Sequence, residues 1–233
     1  RKILSGTRNF AKEPAMTREE AAHAVCVGME LAAQAKRDGV AVLGVGEMGI
    51  GNTTTSSAVL AALTGLSVER VTGRGGGMTD EGFALKKRVI ASALALHKPN
   101  GGDVLDTLCK VGGLDIAAMC GVFLGAARCR LPAVIDGLIS AVAALCAVRL
   151  CPAARDYLFA SHLSREIVYQ AAIIELGLAP WLHLGMRLGE GSGCPIAFRV
   201  LEAACAAAEG MATFQGAAID DSYLSEIRGK DCF

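Results

Sequence analysis

The sequence predicts an α/β fold, a mostly parallel sheet flanked by helices, and three observations carry that expectation. Short apolar runs bounded by turn residues, at 40–45, 132–135 and 157–160, alternate with longer helical stretches, the order that builds parallel sheets covered on their faces. Glycine-rich turns at 46–51, 73–77 and 185–193 separate several of these elements. Hydrophobic residues make up 52% of the chain but aromatic residues only 5%, with 28 glycines. The core is therefore built mainly from Ala, Val, Leu and Ile, small enough to let helices and strands approach closely.

Taken in order, residues 1–16 read as irregular chain. Thr17, Arg18, Glu19 and Glu20 form a capping box, in which hydroxyl and carboxylate satisfy free helix N–H groups. That helix runs to about Asp38, and Gly39 offers a left-handed stop. The run 40–45 suits a buried strand. A glycine turn leads into a helix over 52–64, then a short segment 67–72, the second glycine turn, and a helix over about 79–97. Asp103 can cap a short helix, and Val111, Gly112, Gly113, Leu114 and Asp115 lead into a helix ending near Arg128. A strand at 132–135, a helix at 137–148, a strand at 157–160 and a helix at 163–176 follow. The third glycine loop precedes a last helix over about 195–211. With 233 residues, no solenoid repeat and no linker, one α/β domain over 1–233 is expected. Its sheet core spans about 40–193, with helical flanks at 1–39 and 194–233.

Several classes are disfavoured at once. Lys plus Arg and Asp plus Glu each total 23, so the basic excess of a nucleic-acid binder is missing. The longest uncharged stretch, 48–68, contains a run of Asn, Thr and Ser, and the apolar run 131–148 is cut by Asp136; neither suits a membrane span. Arg1 does not begin a basic-then-apolar leader pattern. Nine scattered cysteines (26, 109, 120, 129, 146, 151, 194, 205 and 232) form no C-x-x-C pair. No zinc site is expected; they read as reduced core thiols of a cytoplasmic protein.

The glycine loops hold the candidate chemistry. Gly44, Gly46 and Gly49 fit G-x-G-x-x-G between a strand and a helix, the dinucleotide fingerprint. The frame from Gly46 to Thr53 resembles a Walker A loop, but Asn52 stands where lysine belongs, which removes the point charge a triphosphate needs. Glu47 would repel a polyphosphate. A single phosphate at 49–53, with Glu47 turned to another part of the ligand, fits better; a tight turn without ligand is the bland alternative. The loop Gly73, Arg74, Gly75, Gly76, Gly77 is ambiguous alone, and the cluster Lys86, Lys87, Arg88 is either a solvated face or a source of one phosphate-seeking lysine. His162, after a strand end, is as readily structural. The loop 185–193 carries one carboxylate, Glu190, behind apolar Met186 and Leu188. Partial desolvation there would raise its proton affinity and suit a general base.

In combination these segments become specific. Gly46 to Thr54, Val111 to Asp115, Ile135-Asp136-Gly137, Ser161-His162-Leu163-Ser164 and Leu188 to Gly193 occur in this order, behind Gly6-Thr7-Arg8-Asn9-Phe10. The chain strongly resembles the nicotinate-nucleotide:5,6-dimethylbenzimidazole phosphoribosyltransferase family from Gly6 to about Thr213. The resemblance implies a Rossmann-like sheet, part of a smaller helical domain drawn from both chain ends, a homodimer, no metal and no bound cofactor. It makes the G-x-G-x-x-G match a decoy. It implies Glu190 as general base, with Gly49, Gly51, Asn52, Thr53 and Lys86 (chosen over Lys87) at the mononucleotide phosphate. Glu47, Asp115, Asp136 and Ser164 match positions lining ribose and nicotinate, and Met186 and Leu188 are expected against the base. Two departures stand out. Family members continue N-terminal to the Gly-Thr-Arg-Asn-Phe segment, so the chain resembles the C-terminal two-thirds, and Arg74 replaces an expected proline or small residue.

The residues suit that chemistry. A pyridinium leaving group departs neutral and needs no acid, whereas the incoming benzimidazole must shed one proton, which a single carboxylate can take. Two other functions remain open at this stage: a non-catalytic nucleotide-binding module, and a nicotinamide-dependent oxidoreductase resting on the glycine fingerprint with Glu69 about twenty residues on.

Overall fold

A computed structural model describes residues 1–220, 222 and 224 of the chain. Helix α1 (Arg18–Arg37) starts on the expected capping box, the Thr17 hydroxyl accepting from the Glu20 amide at 3.1 Å and the Glu20 carboxylate from the Thr17 amide at 2.6 Å. Gly39, at φ +80°, turns the chain towards β1 (Leu43–Val45). Then come α2 (Asn52–Thr64), α3 (Asp80–His97), α4 (Val104–Val111) and α5 (Leu114–Arg128). Asp103 caps α4, accepting from the Asp106 amide at 3.1 Å. The chain continues through β2 (Ala133–Ile135), α6 (Leu138–Leu150), β3 (Leu158–Ala160), α7 (Ile167–Leu176) and α8 (Cys194–Gly210).

The three strands form one parallel sheet in the order β1-β2-β3, with Gly44, Val134 and Phe159 in register. All of β2 is buried at the centre. An isolated parallel bridge between His162 and Leu182 carries the pairing past the end of β3. Helix α6, buried from Leu138 through Ala147, packs between α5 and α7. Helix α1 lies on α5 through glycines: a Cβ at Gly28 would fall 1.9 Å from the Ala118 carbonyl oxygen, and one at Gly121 1.9 Å from that of Val25. The many small residues thus act where backbone meets backbone.

Two expectations are corrected. Helix α7 begins at Ile167, not Leu163, because the preceding backbone pairs elsewhere. The Leu163 amide donates to the Leu182 carbonyl at 2.8 Å and the Arg165 amide to the Met186 carbonyl at 3.0 Å. A 3-10 turn over Pro152–Tyr157, not anticipated, fills the gap between α6 and β3. The cysteines are also less uniform than expected. Cys120, Cys146 and Cys194 are buried free thiols, but Cys26, Cys151 and Cys205 are exposed, and Cys232 lies outside the described residues. Among the described residues no helix is long and apolar enough to cross a membrane.

The chain divides into two compact units, Arg1–Ala197 and Phe198–Phe233. The first holds the sheet and α1 to α7. In the second, the described residues include an Arg199–Glu202 ion pair and a turn in which the Gly216 amide donates to the Thr213 hydroxyl at 3.0 Å.

Candidate active site

All three strands run parallel, so their C-terminal ends open on one edge, where ligands sit in sheets of this kind. From β1 the chain enters the turn 46–51; from β2 it passes Asp136 and Gly137; from β3 it passes Ser161 and His162.

The first turn ends in the N-terminus of α2. Gly51 occupies the N-cap at φ +90°, no side chain caps the helix, and no acidic residue stands in its first turn, so its positive end is left for an anion. Lys86, from α3, is 5% exposed and donates to the Thr53 hydroxyl at 2.8 Å and to the Gly73 carbonyl at 2.9 Å. It therefore ties the first turn of α2 to the second glycine loop. Burial lowers the Lys86 pKa, against the opposing pull of Glu166, and burial raises that of Glu166, opposed by Lys86 and Arg187. Lys87 instead lies over the Phe83 ring, 4.1 Å from its centroid. Arg74 pairs with Asp80, donates to the Met78 carbonyl at 3.0 Å and also lies over the Phe83 ring, closing the second loop onto α3.

Carboxylates gather beside the start of α2. The Asn52 amide group donates to Glu47 and, at 2.9 Å, to Asp115. Both side-chain N–H groups of Asn52 are thus committed to carboxylates. Burial raises the Glu47 pKa; the Asn52 hydrogen bond opposes this, and Asp115, Asp136 and Glu190 add to the rise. Such a negative field suits a cationic ring.

The third loop rests on all three strand ends. A Cβ at Gly46 would fall 2.2 Å from the Gly191 amide nitrogen, and one at Gly193 2.2 Å from His162 Nδ1. Asp136, 1% exposed, accepts from the Gly191 amide at 2.9 Å and from the Gly193 amide at 2.8 Å. The Ser192 hydroxyl donates to the Gly189 carbonyl at 2.7 Å. Glu190 itself has φ +59°, a left-handed conformation that non-glycine residues seldom adopt. The desolvation expected for Glu190 is absent: the residue is exposed, and Leu188 is 68% exposed. Met186 is half-buried and Ser164 buried, the latter accepting from the Glu166 amide at 3.3 Å.

The geometry gives the glycine fingerprint a structural explanation of its own. Gly46 is required by the backbone of the third loop, which passes too close for any side chain there. Glu69 is exposed in a turn after α2, not at a strand end. Two participants escaped the sequence. Glu166, which faces Lys86, gave no signal because it fell inside an expected helix. The Gly46–Gly191 contact joins residues far apart in the chain. No group of three or more His, Cys, Asp or Glu among the described residues could hold a metal ion.

Fold and site together define a class: α/β proteins with glycine loops gathered at the C-terminal edge of a parallel sheet. A phosphoribosyltransferase family model matches residues 1–219. A Clostridium perfringens protein named nicotinate-nucleotide--dimethylbenzimidazole phosphoribosyltransferase is 54% identical over 233 residues, covering 100% of this chain and 64% of its own length. Its Geobacter sulfurreducens namesake is 52% identical over 219 residues, covering 94% of this chain and 62% of its own length. A crystal structure of CobT from Thermus thermophilus superposes with a TM-score of 0.88 at 43% identity, covering 95% of this chain and 66% of that one. The chain belongs to this phosphoribosyltransferase family. It spans 64% of the length of the C. perfringens relative.

Proposed function

We propose that the protein transfers the phosphoribosyl group of nicotinate mononucleotide to 5,6-dimethylbenzimidazole, yielding α-ribazole 5′-phosphate and nicotinate for the lower ligand of cobalamin. The observation that carries this reading is the buried Lys86 bonded to Thr53 at the uncapped start of α2, with carboxylates on the other side. The phosphate sits on the turn Gly49, Gly51, Asn52 and Thr53 beside Lys86. The ribose and cationic nicotinate ring face Glu47, Asp115 and Ser164, where negative charge favours a pyridinium. Met186 and Leu188 flank the base.

In the reaction one benzimidazole nitrogen attacks the anomeric carbon. The glycosidic bond to the pyridinium breaks, and its electron pair neutralises the departing ring. The second benzimidazole nitrogen gives its proton to Glu190. Attack opposite the leaving group inverts the β-nucleotide to an α-nucleotide. Glu190 is exposed in its left-handed loop, so its carboxylate can meet a proton donor arriving from solvent, and base binding would supply the dry surroundings that raise its basicity. The sheet core at about 40–193 with flanks at 1–39 and 194–233, a homodimeric assembly, and a cytoplasmic setting consistent with free thiols complete the proposal.

The deciding experiment is product analysis with nicotinate mononucleotide and dimethylbenzimidazole, on the 233-residue chain and on a version extended at its N-terminus to the length of its relatives. The α-nucleotide should form with the longer version, and both should bind nicotinate mononucleotide. Mononucleotide binding without product from either version would leave a binding module.

A further inference from the structure

The carboxylate of Asp136 is at the end of the central strand, where a ribose ligand would be sought, yet it faces inward. It is 1% exposed, and each of its oxygens accepts a backbone N–H: Oδ2 from Gly191 at 2.9 Å and Oδ1 from Gly193 at 2.8 Å. Those two amides bracket the turn that immediately follows Glu190. Asp136 is itself fixed from below. Its amide donates to the Ser140 hydroxyl at 3.2 Å, and that hydroxyl donates to the Val45 carbonyl at 2.6 Å, joining the ends of β2 and β1. His162 Nδ1 stands 3.9 Å from Asp136 Oδ1 and shares a 3.0 Å hydrogen bond with the Ser161 hydroxyl. Above, Gly46 and Gly191 meet backbone to backbone. The loop is therefore clamped from three strands, and the clamp's only charged acceptor of loop amides among the described residues is Asp136.

We propose that Asp136 is a positioning residue that locks the loop 189–193 so that Glu190 is held in its left-handed conformation, and that it does not itself contact the ribose. The physical reason is directional. A charged acceptor binds an amide more strongly than a neutral one, and two convergent bonds fix both the height and the rotation of the turn. With each oxygen already accepting an amide and the residue only 1% exposed, the carboxylate turns no open face towards a sugar hydroxyl. The inference deepens the proposed function, since it takes Glu190 as the base that the clamp presents.

The test reads the loop before it reads activity. In the full chain without ligand, the Gly191 and Gly193 amides should exchange with solvent at least about tenfold more slowly than those of Arg187 and Leu188. Asp136→Asn, which keeps the shape but turns an N–H2 group towards one amide, should abolish that protection while α6 keeps its own. Affinity for nicotinate mononucleotide should stay within about threefold. In the full-length enzyme, Asp136→Asn should lower kcat about tenfold or more on the native background but less than about threefold on Glu190→Gln, because residues that act as one unit are not additive. Unprotected glycine amides in the native protein would overturn the proposal even if the variant failed to fold. So would preserved loop protection with a tenfold loss of mononucleotide affinity, or equal kcat losses on both backgrounds. Absence of product from the native enzyme would sink the proposed function instead, and leaves the exchange result to judge the clamp.

Discussion

The crossing of α1 and α5 and the strand-end loops both depend on glycine, for opposite reasons. At the crossing, Gly28 and Gly121 sit within regular helices and let two backbones touch, with a Cβ excluded by a carbonyl oxygen 1.9 Å away. At the strand ends, glycines surround groups that folding would rather avoid: a glutamate at φ +59°, a lysine 5% exposed, and a half-buried Glu47 facing other carboxylates. The first region serves close packing. The second holds local conflicts that tertiary contacts over-determine, as functional sites tend to. Ile50 at 93% exposure and Met48 at 69% add apolar surface turned to solvent on the same loops.

The contrast breaks most visibly at Glu190. Glu190→Gln in the N-terminally extended version should reduce turnover about 10²- to 10⁴-fold, some 3 to 5 kcal/mol of transition-state stabilisation, with the urea midpoint unchanged. Turnover within a few-fold of native, alongside a dead Glu47→Gln, would move the base to Glu47.

At the helix crossing the effect is next in size and opposite in kind. Gly121→Ala gains about 1 kcal/mol of helix propensity but forces a methyl group into the Val25 carbonyl, and overpacking of backbone against backbone costs about 3 kcal/mol or more. Denaturant unfolding should show a net loss of about 2 kcal/mol, while mononucleotide affinity in the folded fraction stays native. A neutral outcome would mean that the helices slide apart freely, and the crossing would not be tightly fitted.

The smallest effect sharpens the comparison through pH. Burial raises the Glu47 pKa above its ordinary value of 4.5, so the folded state holds this proton more tightly than the unfolded state. Stability is then greatest below the ordinary glutamate range and falls as pH rises from there through the raised folded value. Glu47→Gln removes the penalty. Its Tm should exceed that of the native protein by about 1–2 °C at pH 7, with the difference closing as pH falls below 4.5, a small shift because the side chain is only half-buried. A Tm difference independent of pH would show that Glu47 is not strained by its ionisation.

Much of the fold was legible because its signals are local. Thr17 with Glu20, Gly39, Asp103 and the short apolar runs each mark an end by chemistry within a few residues, and α1 and α2 fall on their expected bounds within one residue. Where the signal was remote, the sequence misled. The stretch 163–166 has no helix-breaking residue, yet it is extended because Leu182 and Met186 supply better partners for its amides.

The site divides in the same way. By itself the sequence determined which residue types stand at each strand end, that a glycine turn without the lysine of a triphosphate loop leads into a helix, and that a single carboxylate occupies the third glycine loop. Only the tertiary structure decided their places relative to one another: that Lys86 rather than Lys87 reaches Thr53, that Asn52 spends its amide on Glu47 and Asp115, and that Gly46 makes room for Gly191. The reason is geometric. Hydrogen bonds and steric exclusion act over a few ångströms of space, and the partners Gly46 with Gly191 and Asp136 with Gly193 are brought to that range only when three parallel strands end side by side.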